Sequence, residues 1–158
     1  MKKICILGKL NTKYEAPFED KSWEIWLFNE HPDTRSIPRI DKRFNLHPYA
    51  ANFNNLDYSI KNFPFKECEK LVGGEYFNNS LSYLIAFAIL EGADKIAIFG
   101  CNYTGDKIER EKEYLNVREL VFFAKGRGIQ VIAPVDHRIN ARWYRYIDWR
   151  TFRKDHNL

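Results

Sequence analysis

The chain has 158 residues, enough for one ordinary domain and too few for two. Hydrophobic residues make up 45% and charged residues 29%, a balance that excludes wholesale disorder, and no apolar run approaches the ~20 residues of a membrane-spanning helix. Of 25 basic and 21 acidic residues, six basic and two acidic ones fall in residues 138–158, so the excess of +4 sits there and the remaining chain is neutral.

Lys3–Leu7 is a short apolar run stopped by Gly8 and reads as a buried strand. Its basic-then-apolar start is too short for a signal peptide. Lys9–Asp20 carries Asn, Thr, Pro and charges and reads as a loop with room for one helical turn. Glu24–Phe28 is a second strand, His31–Arg39 a loop with two prolines, and Ile40–Leu46 a third strand interrupted by polar residues. Residues 49–75, punctuated by Pro64, Gly73 and Gly74, give no clear element.

From Tyr76 the pattern sharpens. Asn78 or Asn79 can cap a helix, because a short side-chain oxygen accepts from the free N–H groups of a first turn. The body Ser80–Glu91 is apolar almost all round, which predicts a buried helix stopped by Gly92. Lys95–Phe99 is a strand ending at Gly100. Ile108–Lys125 is an amphipathic helix with Ile108, Leu115, Leu120, Val121 and Ala124 on its apolar side. Ile129–Ala133 is a last strand before Pro134. This order predicts an α/β fold: one Rossmann-like domain over residues 1–137, with a mostly parallel sheet of about five strands and helices on both faces. Residues 138–158 would add a basic, aromatic C-terminal helix packed on the domain or on a partner subunit.

Parallel sheets bind ligands at the carboxyl ends of their strands. That rule selects Gly8, Asn29, His47, the helix start Asn78-Asn79-Ser80, Gly100-Cys101-Asn102 and Pro134–His137. Gly8 lets a backbone turn or approach a ligand, and Lys9 and Asn11 suit phosphate, although neither GxxxxGK[ST] nor GxGxxG is present. A strand-ending glycine with a solvated loop explains the same residues. Asn79 and Ser80 offer a cap, an anion contact, or both. Asn29 has donor and acceptor groups for a base edge or a ribose hydroxyl, and is equally a turn residue. His47 and His137 can serve as acids, bases or phosphate donors. Glu113 follows Glu109 and Glu111 at a helix start, where carboxylates complement the dipole; catalytic use of Glu113 is the alternative. Cys5, Cys68 and Cys101 are odd in number and form no CxxC pair, so the residues point to a reducing cytoplasm without disulfides, metal or cofactor.

The tail interleaves Arg138, Arg142, Arg145 and Arg150 with Trp143, Tyr144, Tyr146 and Trp149. Such a mixture stacks bases and binds phosphates, or builds a subunit interface in a homo-oligomer. The neutral body argues against polymeric nucleic acid.

Tyr76–Tyr83, Ala86–Gly92 and Lys95–Tyr103 together resemble a pattern in small bacterial sialyltransferases and in archaeal pterin pyrophosphokinase-like proteins. Trp23-Glu24-Ile25-Trp26 with its following Asn, Phe44-x-Leu46-His47, Glu113-Tyr114 and the final strand ending in Pro resemble uncharacterised short Rossmann-like phage proteins, over most of residues 3–135. The sialyltransferase likeness implies a cytidine-nucleotide site at Gly8, Asn29, Asn79, Ser80, Gly100 and Asn102. It departs where Asn102 replaces an Asp, and where only Tyr103–Glu109 stands in place of a lid carrying a catalytic histidine. The phage likeness implies a host-cytoplasmic protein that sequesters a nucleotide-derived signal of host defence. The combined expectation is a binder of a nucleotide-type anion at the sheet edge, with Arg138 and Arg142 offsetting its charge. The alternative is a small glycosyl or pyrophosphoryl transferase, or a nucleotide hydrolase, using His47 or Glu113 as acid/base.

Overall fold

The computed structural model describes residues 1–29, 36–51, 53–103 and 108–134 of the chain. Among them, six strands form one sheet: β1 (Lys3–Leu7), β2 (Trp23–Phe28), β3 (Lys42–Asn45), β4 (Tyr58–Ser59), β5 (Lys95–Phe99) and β6 (Gln130–Ile132). Their order is β4-β3-β2-β1-β5-β6 and every pairing is parallel. Three α-helices accompany them, α1 (Phe65–Val72), α2 (Ser80–Leu90) and α3 (Ile108–Gly126). The predicted α/β architecture is therefore present, with one strand more than the hydrophobic pattern suggested and with the three α-helices on one face of the sheet instead of both.

Alternation along β1 sorts the two faces. Ile4 and Ile6 face a core shared with α1, α2 and α3, while Cys5 and Leu7 face a smaller one with Ala16, Trp23, Ile25, Leu27 and Ile37. Burial on both sides explains the unbroken apolar run of this strand. The second face is covered by the 3-10 turn Asn11–Glu15 and the segment after it. Helix α2 is apolar all round because it lies between α1, α3 and the sheet. Much of the chain's aromatic content forms one cluster there. Trp26, Phe44, Tyr58, Phe63 and Phe87 pack at centroid distances of 5.0–6.4 Å, and the contacts continue through Phe65 and Tyr83 to Phe77, which lies beside the start of α2.

Two elements lie in the unreadable stretch 49–75. β4 has two residues, too few to show a period, and α1 has eight. Pro64 and Gly73, read as punctuation, are the N-cap and C-cap of α1, with Gly73 at φ +88°. On α3 the buried side is Tyr114, Asn116, Val117, Leu120, Val121 and Ala124, while Ile108 is 73% exposed at its first position. The predicted tail helix lies outside the described residues. No helix among the described residues is long and apolar enough to cross a membrane.

The chain steps from β1 to β2 in one direction along the sheet and from β5 to β6 in the other. The reversal leaves an opening at the carboxyl ends of β1 and β5, the place where parallel sheets admit ligands.

Candidate functional site

A cleft of about 660 Å³ occupies that opening. Its size matches small-molecule sites. Of the residues selected from sequence, Gly8, Lys9, Asn29, His47, Asn79, Ser80, Gly100, Asn102 and Glu113 all line it. Asn11 does not; it is exposed on the 3-10 turn. His137, Arg138 and Arg142 lie outside the described residues. Sequence reasoning missed Phe28, Tyr49 and Arg110 in the wall. Arg110 had a signal, since it stands three residues before Glu113 in the first turns of a helix.

Gly8 and Gly100 serve each other. A Cβ on Gly8 would lie 2.4 Å from the Gly100 carbonyl oxygen and 2.6 Å from the Cys101 Sγ, and one on Gly100 would lie 2.6 Å from the Gly8 oxygen. Gly100 also takes φ +69°, a left-handed conformation suited to glycine. The backbone that approaches Gly8 closely is thus that of the neighbouring strand. Hydrogen bonds fasten the junction: Gly8 N–H donates to Phe99 O (2.9 Å), Leu10 N–H to Gly100 O (3.0 Å) and Gly100 N–H to Thr12 Oγ1 (2.9 Å). The loop is held from beneath by Lys13, which is 1% exposed and donates from Nζ to Lys9 O at 2.9 Å. The cation also stands 4.8 Å from the Tyr14 ring centroid.

At the start of α2 the three polar residues divide their work. Asn79 is the N-cap, with Oδ1 accepting Ser82 N–H at 3.0 Å. Its Nδ2 donates to Asn78 Oδ1 (2.8 Å), Glu113 O (3.3 Å) and Asn116 Oδ1 (3.4 Å). Asn78 donates from its N–H to Asn116 Oδ1 at 3.2 Å and from Nδ2 to Lys112 O at 3.1 Å. Buried Asn116 completes the weld by donating to Tyr76 O at 2.9 Å. Both amides are therefore occupied in joining α2 to α3, and capping is their role. The helix has four N–H groups without intrahelical acceptors. Of these, Ser82 N–H goes to the cap side chain, and the Tyr83 N–H bond to Asn79 O at 3.5 Å is the first of the helix's own. Ser80 and Leu81, which line the cleft, keep theirs unsatisfied among the described residues.

Asn29 and Asn102 stand at the ends of β2 and β5, on either side of β1. Neither side-chain oxygen has a hydrogen-bond partner, and both are shielded from water. An unmet buried polar atom costs about 1–3 kcal/mol. Asn29 also holds φ +53°, the one described non-glycine residue in the left-handed region. Such strain persists where the surroundings demand it and collects at ligand sites.

Arg110 Nη1 meets Glu113 Oε2 at 2.7 Å, so the Glu113 carboxylate already has a cation. Burial pushes the Cys101 thiol up to about 12 and the Tyr103 hydroxyl well above the usual tyrosine range, so both stay protonated at neutral pH. The three cysteines are free and buried. Among the described residues, no group of three His, Cys, Asp or Glu side chains is placed to hold a metal ion.

No protein-family model matches the chain, and no curated protein or solved structure matches it.

Proposed function

We propose that the protein binds a nucleotide-derived anionic small molecule in the cleft at the carboxyl edge of the sheet. The observation that carries this reading is the start of α2, where partly exposed Ser80 lines the cleft with an N–H that has no acceptor among the described residues. Helix N-termini favour anions because their N–H groups and dipole both point at the ligand. Lys9 in the wall adds positive charge, and Arg110 a guanidinium shared with Glu113. Phe28, His47 and Tyr49 supply aromatic surface for a base, and the unpaired amides of Asn29 and Asn102 supply polar contacts between β2 and β5.

Calorimetry with nucleoside mono- and diphosphates tests it. Saturable one-to-one binding is the expected result, with the nucleotide recovered unchanged by mass spectrometry. Ser80→Pro is the diagnostic variant. Proline is favoured at the first helical position, and the extended conformation of Asn79 (φ −155°, ψ 161°) suits the residue before it, so the helix persists while one N–H and one hydroxyl are lost. Affinity should fall about tenfold, the loss of one charge-assisted hydrogen bond. No binding to the wild type, or equal binding to Ser80→Pro, overturns the reading. Recovery of a cleaved nucleotide replaces it with the hydrolase alternative.

A further inference from the structure

We infer that the cleft accepts its nucleotide irrespective of the base, holding the base by stacking on Tyr49 instead of reading its edge. This rests on the nucleotide reading above and adds how the site selects.

Tyr49 is 70% exposed although it lines the cleft. Its ring is preset. It lies parallel to His47 within 10°, at a centroid distance of 5.3 Å, and Phe53, 49% exposed, stands at 63° to it and 6.3 Å away. The backbone beneath is held by hydrogen bonds. Asn45 Oδ1 accepts the His47 N–H at 3.2 Å, and Ala50 N–H donates to His47 O at 3.0 Å. Ala51 N–H donates to Pro48 O at 3.2 Å and Phe53 N–H to Ala50 O at 3.0 Å. Pro48 fixes one torsion of the turn, and fully buried Ala50 anchors it. An aromatic ring held in place while open to solvent is a prepared surface for another planar ring, with little conformational freedom left to lose on binding.

His47 covers one face of Tyr49, so an incoming base takes the outward one. Apart from His47, whose ring is stacked on Tyr49, the polar groups of the cleft belong to the ends of β1, β2 and β5 and the first turns of α2 and α3. Stacking suits every base, because each has a π-face. Selection therefore falls on the anionic part of the ligand.

The test is calorimetry of the full chain with ADP, CDP, GDP and UDP. The four dissociation constants should agree within about fivefold, purines ahead of pyrimidines because their larger rings stack better. Tyr49→Ala, an exposed position, should weaken all four by about tenfold, and Tyr49→Phe should restore them. Preference for one base by thirtyfold or more overturns the inference and leaves nucleotide binding standing. So does a Tyr49→Ala protein that binds all four unchanged. Failure of every nucleotide to bind wild type removes both.

Discussion

The two edges of the sheet treat their polar groups in opposite ways. At the amino edge, charges are matched. Lys2 Nζ meets Glu91 Oε2 at 2.8 Å, Lys42 Nζ meets Glu24 at 2.8 Å and Glu91 at 3.7 Å, and the Lys2 N–H donates to Asp94 Oδ2 at 2.6 Å. At the carboxyl edge, Arg110 and Glu113 pair, but the Ser80 N–H and the amide oxygens of Asn29 and Asn102 are left unmet among the described residues. Buried polar groups are normally paired. The contrast teaches that one edge contributes to stability, while the other carries the unmet polar groups on which the proposed binding rests.

The glycines offer the sharpest way to break this comparison. Gly92, near the amino edge, and Gly100, at the carboxyl edge, have similar torsions, φ +77° and φ +69°. Added atoms meet nothing within 4 Å at Gly92, but the Gly8 carbonyl at 2.6 Å at Gly100. Gly92→Ala should cost only the left-handed penalty, about 1 kcal/mol. Gly100→Ala adds a backbone collision and should cost about 3 kcal/mol or more, lowering Tm by about 6–12 °C in a chain of this size. Thermal melts of the two variants decide the matter; equal losses would deny that the β1–β5 junction is a tight fit.

Asn116→Ala comes next. It removes the acceptor of Asn78 N–H and the donor to Tyr76 O, loosening the approach to α2. The expected cost is about 1–2 kcal/mol, with a clear loss of nucleotide affinity although Asn116 does not line the cleft. Denaturant unfolding and calorimetry on one preparation check both effects. A stability loss without an affinity loss would separate the weld from the site.

Those residues mark how far the sequence could be read. β1, α2 and β5 were legible because burial on all sides leaves uninterrupted apolar runs between a cap and a glycine, and the strand-end rule brought most of the cleft wall with them. α1 was hidden because eight residues bounded by Pro64 and Gly73 look like broken chain until helix caps are recognised as such. Asn116 sits among Leu115, Val117 and Leu120, so an amide at an apolar phase was its visible sign. The division of labour at Asn78-Asn79-Ser80 was not readable: the side chains cap and weld, and the backbone beneath them faces the cleft. Tyr49 lies on a 3-10 turn with no period to reveal which way a ring points.

At the amino edge, Glu91→Gln measures what paired charge contributes. The ammonium of Lys2 holds the Glu91 carboxyl below the usual carboxylate range, against the opposing effect of burial. A carboxyl lowered on folding stabilises above its unfolded value, and the gain disappears as pH falls through the folded one. With both side chains about a third exposed, the pair contributes little, and Tm should drop by about 1–3 °C at pH 7. Melts of the two proteins should converge towards pH 3. A difference that persists in acid would assign the loss to shape instead of charge.

The smallest effect should come from Glu113→Gln in the cleft, where the comparison predicts the opposite sign. Arg110 is half exposed and paired within one helical turn, so stability should change by less than about 0.5 kcal/mol. Removing the carboxylate frees the guanidinium towards an incoming phosphate and removes a repelling charge from the wall. Nucleoside diphosphate should therefore bind about threefold tighter in low salt, and the gain should fade by 0.5 M salt as screening shortens to a few ångströms. On this comparison a matched charge at the amino edge should stabilise the fold, whereas the same pairing at the carboxyl edge should compete with a ligand. Weaker binding by Glu113→Gln would mean that the carboxylate contacts the ligand itself, and would move this residue from the cation's partner to the ligand's.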